Sequence, residues 1–204
     1  MPLANPMQDL SLLAEAKNGA ASPSERAKAF AALYQRHQGS LYRFAMLRSG
    51  SADTAADIVQ EIFLGLITDQ FQFEPSRGAL QSFLFGIARN LILKRESGCQ
   101  RFVAIDTDDE DNELVLVDPA STPIEKLLSD ARAERVRDAL MKLAPHYRDV
   151  LILYEMHDLS YVEIAQICNI DIGTVRSRLS RARARMMVLL ADLGHTEPHA
   201  VQIR

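Results

Sequence analysis

Tryptophan is absent from the 204 residues, cysteine occurs only twice, and aromatic side chains make up 6% of the chain. Cys99 and Cys168 stand 69 positions apart, which provides neither a disulfide framework nor paired zinc ligands and suits a reducing compartment. No apolar run approaches the ~20 residues of a membrane-spanning helix. The opening MPLANPMQDLSLLAEAKNGA has no basic stretch leading into a long apolar one, so neither a signal peptide nor membrane insertion is expected. The expected address is the cytoplasm. A phosphate-cradling glycine loop, a Ser/His/Asp cluster and metal-ligand spacing are likewise missing, and His195 and His199 merely bracket a proline near the end. Catalysis, a cofactor and a metal centre are therefore not expected.

What is present is ordinary globular material, 48% hydrophobic and 25% charged, enough for one sizeable core or two small ones. The net charge of −4, from 23 Lys and Arg against 27 Asp and Glu, hides a strong segmentation. Residues 102–118 carry Asp106, Asp108, Asp109, Glu110, Asp111, Glu113 and Asp118 without a single base. Residues 172–187 carry Arg176, Arg178, Arg181, Arg183 and Arg185 without an acid, and 77–101 hold Arg77, Arg89, Lys94, Arg95 and Arg101 against Glu96 alone. Two basic patches flank one acidic tether, a distribution that points to polyanionic partners more than the average does.

Valine and isoleucine recur at helical rather than alternating spacing, and Gly and Pro fall between segments. The expected fold is all-α: two small helical domains joined by a flexible acidic linker, the C-terminal one a helix-turn-helix. Ser24 caps a first helix whose Phe30, Leu33, Tyr34, Leu41 and Phe44 form one stripe. His37 lies on that stripe and reads as a packed residue, not a ligand. After the turn RSGSAD, Ile58, Val59, Ile62, Phe63 and Leu66 point inward, leaving Asp57, Gln60 and Glu61 outside. A third helix over 80–95 buries Leu84, Ile87, Ala88 and Leu91 and turns Arg89, Asn90, Lys94 and Arg95 toward its rim. In the second half Thr122-Pro123-Ile124-Glu125 reads as a capping box, Pro145 opens another helix, and Ser160-Tyr161-Val162-Glu163 repeats the box. The first 24 residues and the last dozen carry no assigned element.

YVEIAQICNIDIGTVRSRLSRARARM has helix-turn-helix patterning. Ala165 permits a close helix crossing, and Ile164, Ile167, Ile170, Val175 and Leu179 fill the angle. Asn169 takes the left-handed turn position that asparagine tolerates, and Asp171 caps the second helix. With Val175, Leu179 and Ala182 inward, Arg176, Ser177, Ser180 and Arg181 form an outer face sized for a major groove. The arginine fork donates two hydrogen bonds to a guanine edge, which suits Arg176 and Arg181; Arg178, Arg183 and Arg185 are better placed for phosphates.

These residues resemble the extracytoplasmic-function (ECF) group of bacterial sigma factors, the promoter-recognition subunits of RNA polymerase. The resemblance spans about residues 26–190 and rests on L-x-x-x-x-R-x-V at Leu143–Val150, LSYVEIAQ and GTVRSRLSRAR in the second half, and DxxQExF (Asp57, Gln60, Glu61, Phe63) and FLFGIARN (83–90) in the first. Phe83 stands where the family usually has tryptophan, implying a slightly smaller core contact. The resemblance implies an N-terminal extension (1–24), sigma region 2 (25–97), an acidic linker (98–121), sigma region 4 (122–192) and a tail (193–204). It further implies that Asp57, Gln60 and Glu61 meet the β′ coiled coil of core polymerase and that region 4 meets the β flap. Phe71, Phe73, Ser76, Arg77, Arg89, Asn90 and Lys94 would capture the unwound minus-10 strand, with Phe71 and Phe73 either stacking platforms or buried. Arg176, Ser177, Arg178, Ser180, Arg181 and Arg183 would bind the minus-35 duplex. Promoter DNA, core polymerase and an anti-sigma factor are the implied partners. The acidic linker either occupies a groove shaped for RNA or is a plain spacer, and Cys99, in a polar turn, is a candidate for redox control. The rival reading is a free-standing helix-turn-helix regulator using residues 1–128 as a sensor, for which DIVQEIF and FLFGIARN would have no purpose.

Overall fold

The computed structural model describes residues 6–102 and 124–195, with side chains over 7–97 and 133–191. The acidic linker, the Thr122 cap, the Cys99 side chain and the tail beyond 195 lie outside the described residues. Eight α-helices follow in order among them: α1 (Pro6–Lys17), α2 (Pro23–Ser49), α3 (Ala52–Ile67), α4 (Leu80–Phe102), α5 (Ile124–Met141), α6 (Pro145–Glu155), α7 (Tyr161–Cys168) and α8 (Ile172–His195). One 3-10 turn, Pro75–Arg77, sits between α3 and α4, and no strand occurs among the described residues. The all-α expectation holds.

Caps set the boundaries. The start of α2 corrects the sequence reading: Ser22, not Ser24, is the cap, with Pro23 at the first helical position. Its hydroxyl accepts from the Glu25 N–H at 3.3 Å while the Glu25 carboxylate accepts from the Ser22 N–H at 2.9 Å. The S-P-x-E order is the same grammar that Thr122–Glu125 displays. At its other end α2 stops on Gly50, in the left-handed region at φ 73°. A Cβ there would also come 2.9 Å from Cε of Met141. Ser51 then caps α3.

The first unit, α1–α4, closes around Leu33, Leu41, Phe44, Ile58, Ile62, Leu66, Leu84 and Phe85, all essentially sealed from solvent. Gly65 lets the loop after α3 fold back: a Cβ at that position would lie 2.4 Å from the Phe71 ring. The unassigned N-terminal stretch forms α1, which docks on α2 through Leu13 and the buried carboxylate of Asp9. Asp9 accepts from Arg36 at 2.7 Å and lies 3.2 Å from His37 Nε2. His37 is indeed a packed residue. The second unit, α5–α8, centres on Leu143, Val150, Ile152, Leu153, Ile164, Val175, Leu179 and Ala182.

The two units pack against each other, α4 on α7 and α2 on α5 and α6. At the junction the Arg48 guanidinium is fully buried. Its Nε donates to Asp149 Oδ1 at 2.5 Å and its terminal nitrogens to Glu96 at 2.6 and 2.9 Å. Burial pulls the Arg48 pKa down, but these carboxylates outweigh it and hold it above its ordinary value. Arg148 faces the other way, donating to the carbonyls of Arg48 (2.8 Å), Leu143 (2.9 Å) and Met141. Burial, with repulsion from Arg48, lowers its pKa to about 10, which leaves it charged at neutral pH. The His157 ring lies 4.6 Å from that of Phe85 and 6.2 Å from that of Phe44.

Two predictions follow from packing and protonation. Gly65→Ala should destabilise the chain by about 1–3 kcal/mol through overpacking against Phe71, outweighing the ~1 kcal/mol that alanine adds to helix propensity; urea unfolding measures it. His157 is pushed from 6.5 down to about 4 by burial and then by Arg43, and His37 is lowered by burial despite Asp9. Each binds a proton less readily in the folded chain than in the unfolded one, so the unfolded chain binds more protons as pH falls below the ordinary histidine value. Stability should be full above about pH 6.5 and decline between there and about pH 4. Thermal melts across that window should show the decline, and His157→Phe should flatten it.

Candidate nucleic-acid interface

The helix-turn-helix is built by three local devices. Ser160 and Glu163 cap α7 reciprocally, at 3.3 Å from the Glu163 N–H to the hydroxyl and 2.9 Å from the Ser160 N–H to the carboxylate. Asn169 ends α7 in the left-handed conformation (φ 53°, ψ 53°), as its side-chain chemistry allows. The Ile170 N–H returns to the Ala165 carbonyl at 3.0 Å, and the Asp171 carbonyl accepts from Val175, starting α8. Val175, Leu179 and Ala182 then point into the core and hold the helix against α6 and α7.

That register exposes Arg176, Ser177, Ser180, Arg181 and Arg185 together. Arg176 and Arg181 make no ion pair among the described residues, so their donors face solvent. The Ser177 hydroxyl donates to the Thr174 carbonyl at 3.0 Å. Arg178 is half-buried. Arg183 is differently engaged: it donates to Glu155 at 2.6 and 2.8 Å and lies 5.1 Å from the Tyr154 ring centre, and the Glu155 hydrogen bond holds its pKa above the ordinary value. Sequence spacing alone could not reveal that partner, since Glu155 belongs to α6.

On the first unit the basic residues are dispersed in role. Asn90 and Lys94 are exposed on α4, whereas Arg89 is half-buried with Nε 2.7 Å from Asp149 Oδ2. Ser76 and Arg77 stand out on the 3-10 turn, Arg77 pairing loosely with Glu74 at 3.1 Å. Phe71 and Phe73 are both half-buried, Phe71 over Gly65 and Phe73 with its ring 5.3 Å from that of Phe83. The Phe83 position keeps an aromatic contact without tryptophan.

Asp57 and Gln60 are exposed on α3 and Glu61 is half-buried beside them, with Arg95 reaching Asp57 at 3.5 Å and Glu61 at 3.1 Å. Alongside runs an apolar groove of about 550 Å³ lined by Phe30, Tyr34, Val59, Phe63, Leu64 and Ile67. Leu64 is 60% and Ile67 42% exposed, an unusual display for large aliphatics. Sequence reasoning missed both. The available signal was the width of the apolar arc of α3, too broad for one buried face. Cys168 is buried behind the turn and its thiol is pushed up to about 11 by burial, an inert core residue.

Comparison with known proteins gives two family matches: Sigma-70 region 2 over residues 33–96 and Sigma-70 region 4 over residues 133–186. The two matches define a transcription initiation factor of the sigma-70 type. The ECF RNA polymerase sigma factor EcfG of Rhodopseudomonas palustris is 35% identical over 151 residues, covering 74% of this chain and 79% of its own. SigL, an ECF factor of Mycobacterium tuberculosis, is 31% identical over 81% of this chain and 90% of its own. Among solved structures, the sigma factor RpoE of Bartonella quintana in complex with the anti-sigma factor NepR superimposes with a TM-score of 0.63. It is 31% identical, over 80% of this chain and 98% of that one. CnrH, in complex with the cytosolic domain of CnrY, shares the fold at a TM-score of 0.61 and 24% identity, over 91% of this chain and 98% of its own. This chain belongs to the ECF group of RNA polymerase sigma factors, transcription initiation factors that bind DNA.

The left-handed cap yields a test. Asn169→Gly should leave stability within about 1 kcal/mol, whereas Asn169→Val should cost about 1–2 kcal/mol or more, because a β-branched side chain resists positive φ. Denaturant midpoints of the two variants measure the difference.

Proposed function

We propose that this chain binds core RNA polymerase and directs promoter-specific initiation under the control of an anti-sigma factor, with its working place in the cytoplasm. The observation that carries the reading is the pairing of two units in one chain. One is a helix-turn-helix whose Arg176 and Arg181 make no ion pair among the described residues. The other carries the acidic DxxQExF face beside an exposed apolar groove. No helix among the described residues is long and apolar enough to cross a membrane.

The division of labour follows the chemistry. Region 2 (25–97) docks on the polymerase through Asp57, Gln60 and Glu61, whose charge complements a basic helical surface, while Leu64 and Ile67 add desolvated apolar contact. Asn90, Lys94, Ser76 and Arg77 offer polar and cationic contacts to an unwound strand, and Arg89 joins them once released from Asp149. Phe71 and Phe73 shape that loop from beneath, since both lie half-buried against α3 and α4. Region 4 (122–192) lays α8 in the minus-35 major groove, with Arg176 and Arg181 toward base edges and Ser177, Ser180 and Arg178 toward the backbone. Arg183 contributes to phosphates by exchanging its Glu155 partner. The resemblance to an anti-sigma-bound neighbour of 31% identity supports regulation by such a partner.

Transcription in vitro with core polymerase, with and without the chain, on a library of promoter fragments tests the reading. Initiation should become confined to a subset of fragments. Arg176→Ala or Arg181→Ala should each remove about 1–3 kcal/mol of upstream-element discrimination while leaving polymerase binding intact. Asp57→Arg or Glu61→Arg should reduce polymerase binding about tenfold or more without altering upstream-duplex preference. Unchanged initiation on every fragment would overturn the assignment.

A further inference from the structure

Residues 69–79, between α3 and α4, carry the Phe71, Phe73, Ser76 and Arg77 side chains and are held mostly by apolar contact. Phe71 packs over Gly65, its N–H returns to the Gly65 carbonyl at 3.0 Å, and the Phe73 ring lies 5.3 Å from that of Phe83. Arg77 pairs with Glu74 inside the loop itself. One side-chain hydrogen bond among the described residues ties this loop to another element: Lys17 Nζ donates to Asp69 Oδ1 at 2.6 Å, across 52 positions. Lys17 sits in the last turn of α1, where a helix end favours a cation, and its side chain is 25% exposed against 68% for Asp69. In turn α1 is fixed to α2 by Leu13 and by the buried Asp9 carboxylate, which accepts from Arg36 at 2.7 Å. The helix therefore reaches from α2 to the foot of the loop.

The backbone at Asp69 has a cost that packing does not explain. Its φ is 57°, in the left-handed region where glycine is most at ease and asparagine next, and its largely exposed side chain fills no core. What aspartate adds at this position is a carboxylate within reach of Lys17. An ion pair so exposed contributes little to stability, so its consequence is where the loop stands rather than whether the chain folds. An unpaired carboxylate at the foot of the loop would also repel phosphates approaching Arg77, and Lys17 offsets that charge. We propose that α1 is a working part of the strand-capturing unit: Lys17 positions residues 69–79 through Asp69 and so sets which bases of the unwound strand the loop accepts. The identity of the strand rests on the sigma-factor reading; the tie does not. Lys17 is a positioning residue that acts only through Asp69, and Phe71, Phe73, Ser76 and Arg77 follow because they hang from the same short stretch of backbone.

Four variants of the full-length chain test this. Lys17→Met keeps the stem and removes the charge; Asp69→Asn keeps the left-handed backbone and removes the carboxylate. The double variant closes the cycle, and Lys17→Arg keeps the pair. Hydrogen exchange over residues 69–79, followed by mass spectrometry on the chain without polymerase, should quicken about threefold in Lys17→Met and in Asp69→Asn, the size expected of an exposed ion pair. It should quicken no further in the double variant, and Lys17→Arg should exchange like the parent. In transcription with core polymerase on fragments randomised in the minus-10 element and fixed upstream, the ratio of the best fragment to the median should fall about threefold for both single variants. Affinity for a fluorescein-labelled single-stranded DNA of mixed sequence should move in opposite directions, down for Lys17→Met and up for Asp69→Asn, because one removes a positive charge and the other a negative one. Affinities that split in this way while selectivity stays at the parent's level, fold-changes that multiply in the double variant, or unaltered loop exchange each overturn the proposal. A parent chain that directs no initiation while the exchange pattern holds overturns the sigma-factor reading and the strand role together; initiation with unaltered exchange overturns the tie alone.

Discussion

A single guanidinium with no solvent to share its charge organises the centre of this molecule. Arg48 ends the longest helix of the first unit, is fully buried, and is neutralised from one side by Glu96 of its own unit and from the other by Asp149 of the next. Burying an arginine is tolerable only when every donor finds an acceptor, so its position dictates how α4 and α6 approach it. Arg148 meets that constraint only in part: its terminal nitrogens donate to carbonyls at the ends of α2 and α5 that helix geometry leaves without partners, while its buried Nε has no acceptor among the described residues. Gly50 completes the junction, because its left-handed backbone favours glycine and a Cβ there would displace the end of the Met141 side chain.

Around that junction the charge is sorted by what lies opposite it. Arg176 and Arg181 face water and keep their donors available, which is what a groove-reading surface needs. Arg183 and Arg95 sit beside Glu155 and the Asp57–Glu61 pair, at exposed sites where such contacts contribute little to stability and exchange readily for another partner. Arg89 is the intermediate case, half-buried and held by a fully buried carboxylate. Five arginines of one chain thus differ in how freely they could meet an anion, and pairing and burial rather than residue type rank them.

Much of this was legible beforehand where the information is local. The S-x-x-E box at Ser160, the left-handed asparagine at 169 and the Val175-Leu179-Ala182 spacing each depend on residues within a turn or two of one another, so α7 and α8 could be drawn correctly with their outward arginines named. The same logic identified α3 and its DxxQExF face. Misreadings arose where two local solutions competed or where the partner was distant in sequence. Ser22 and Ser24 both precede a helical run, and Pro23 with Glu25 settles the matter for Ser22. The helix at 6–17 is only weakly amphipathic, with Leu13 its one buried apolar side chain among those described; Asp9 meeting Arg36 and His37 more than twenty residues away helps anchor it.

The amino-acid order alone therefore determined the all-helical class, most of the helix boundaries and the register that sends Arg176 and Arg181 outward, because periodicity and capping act over a few residues. Only tertiary structure decided which charges are free and which are spoken for. Asp149 could have been read as one more surface acid; it meets Arg48 across 101 positions and Arg89 across 60. Pairings over such separations depend on how α2, α4 and α6 pack in three dimensions, and no short-range pattern encodes that distance.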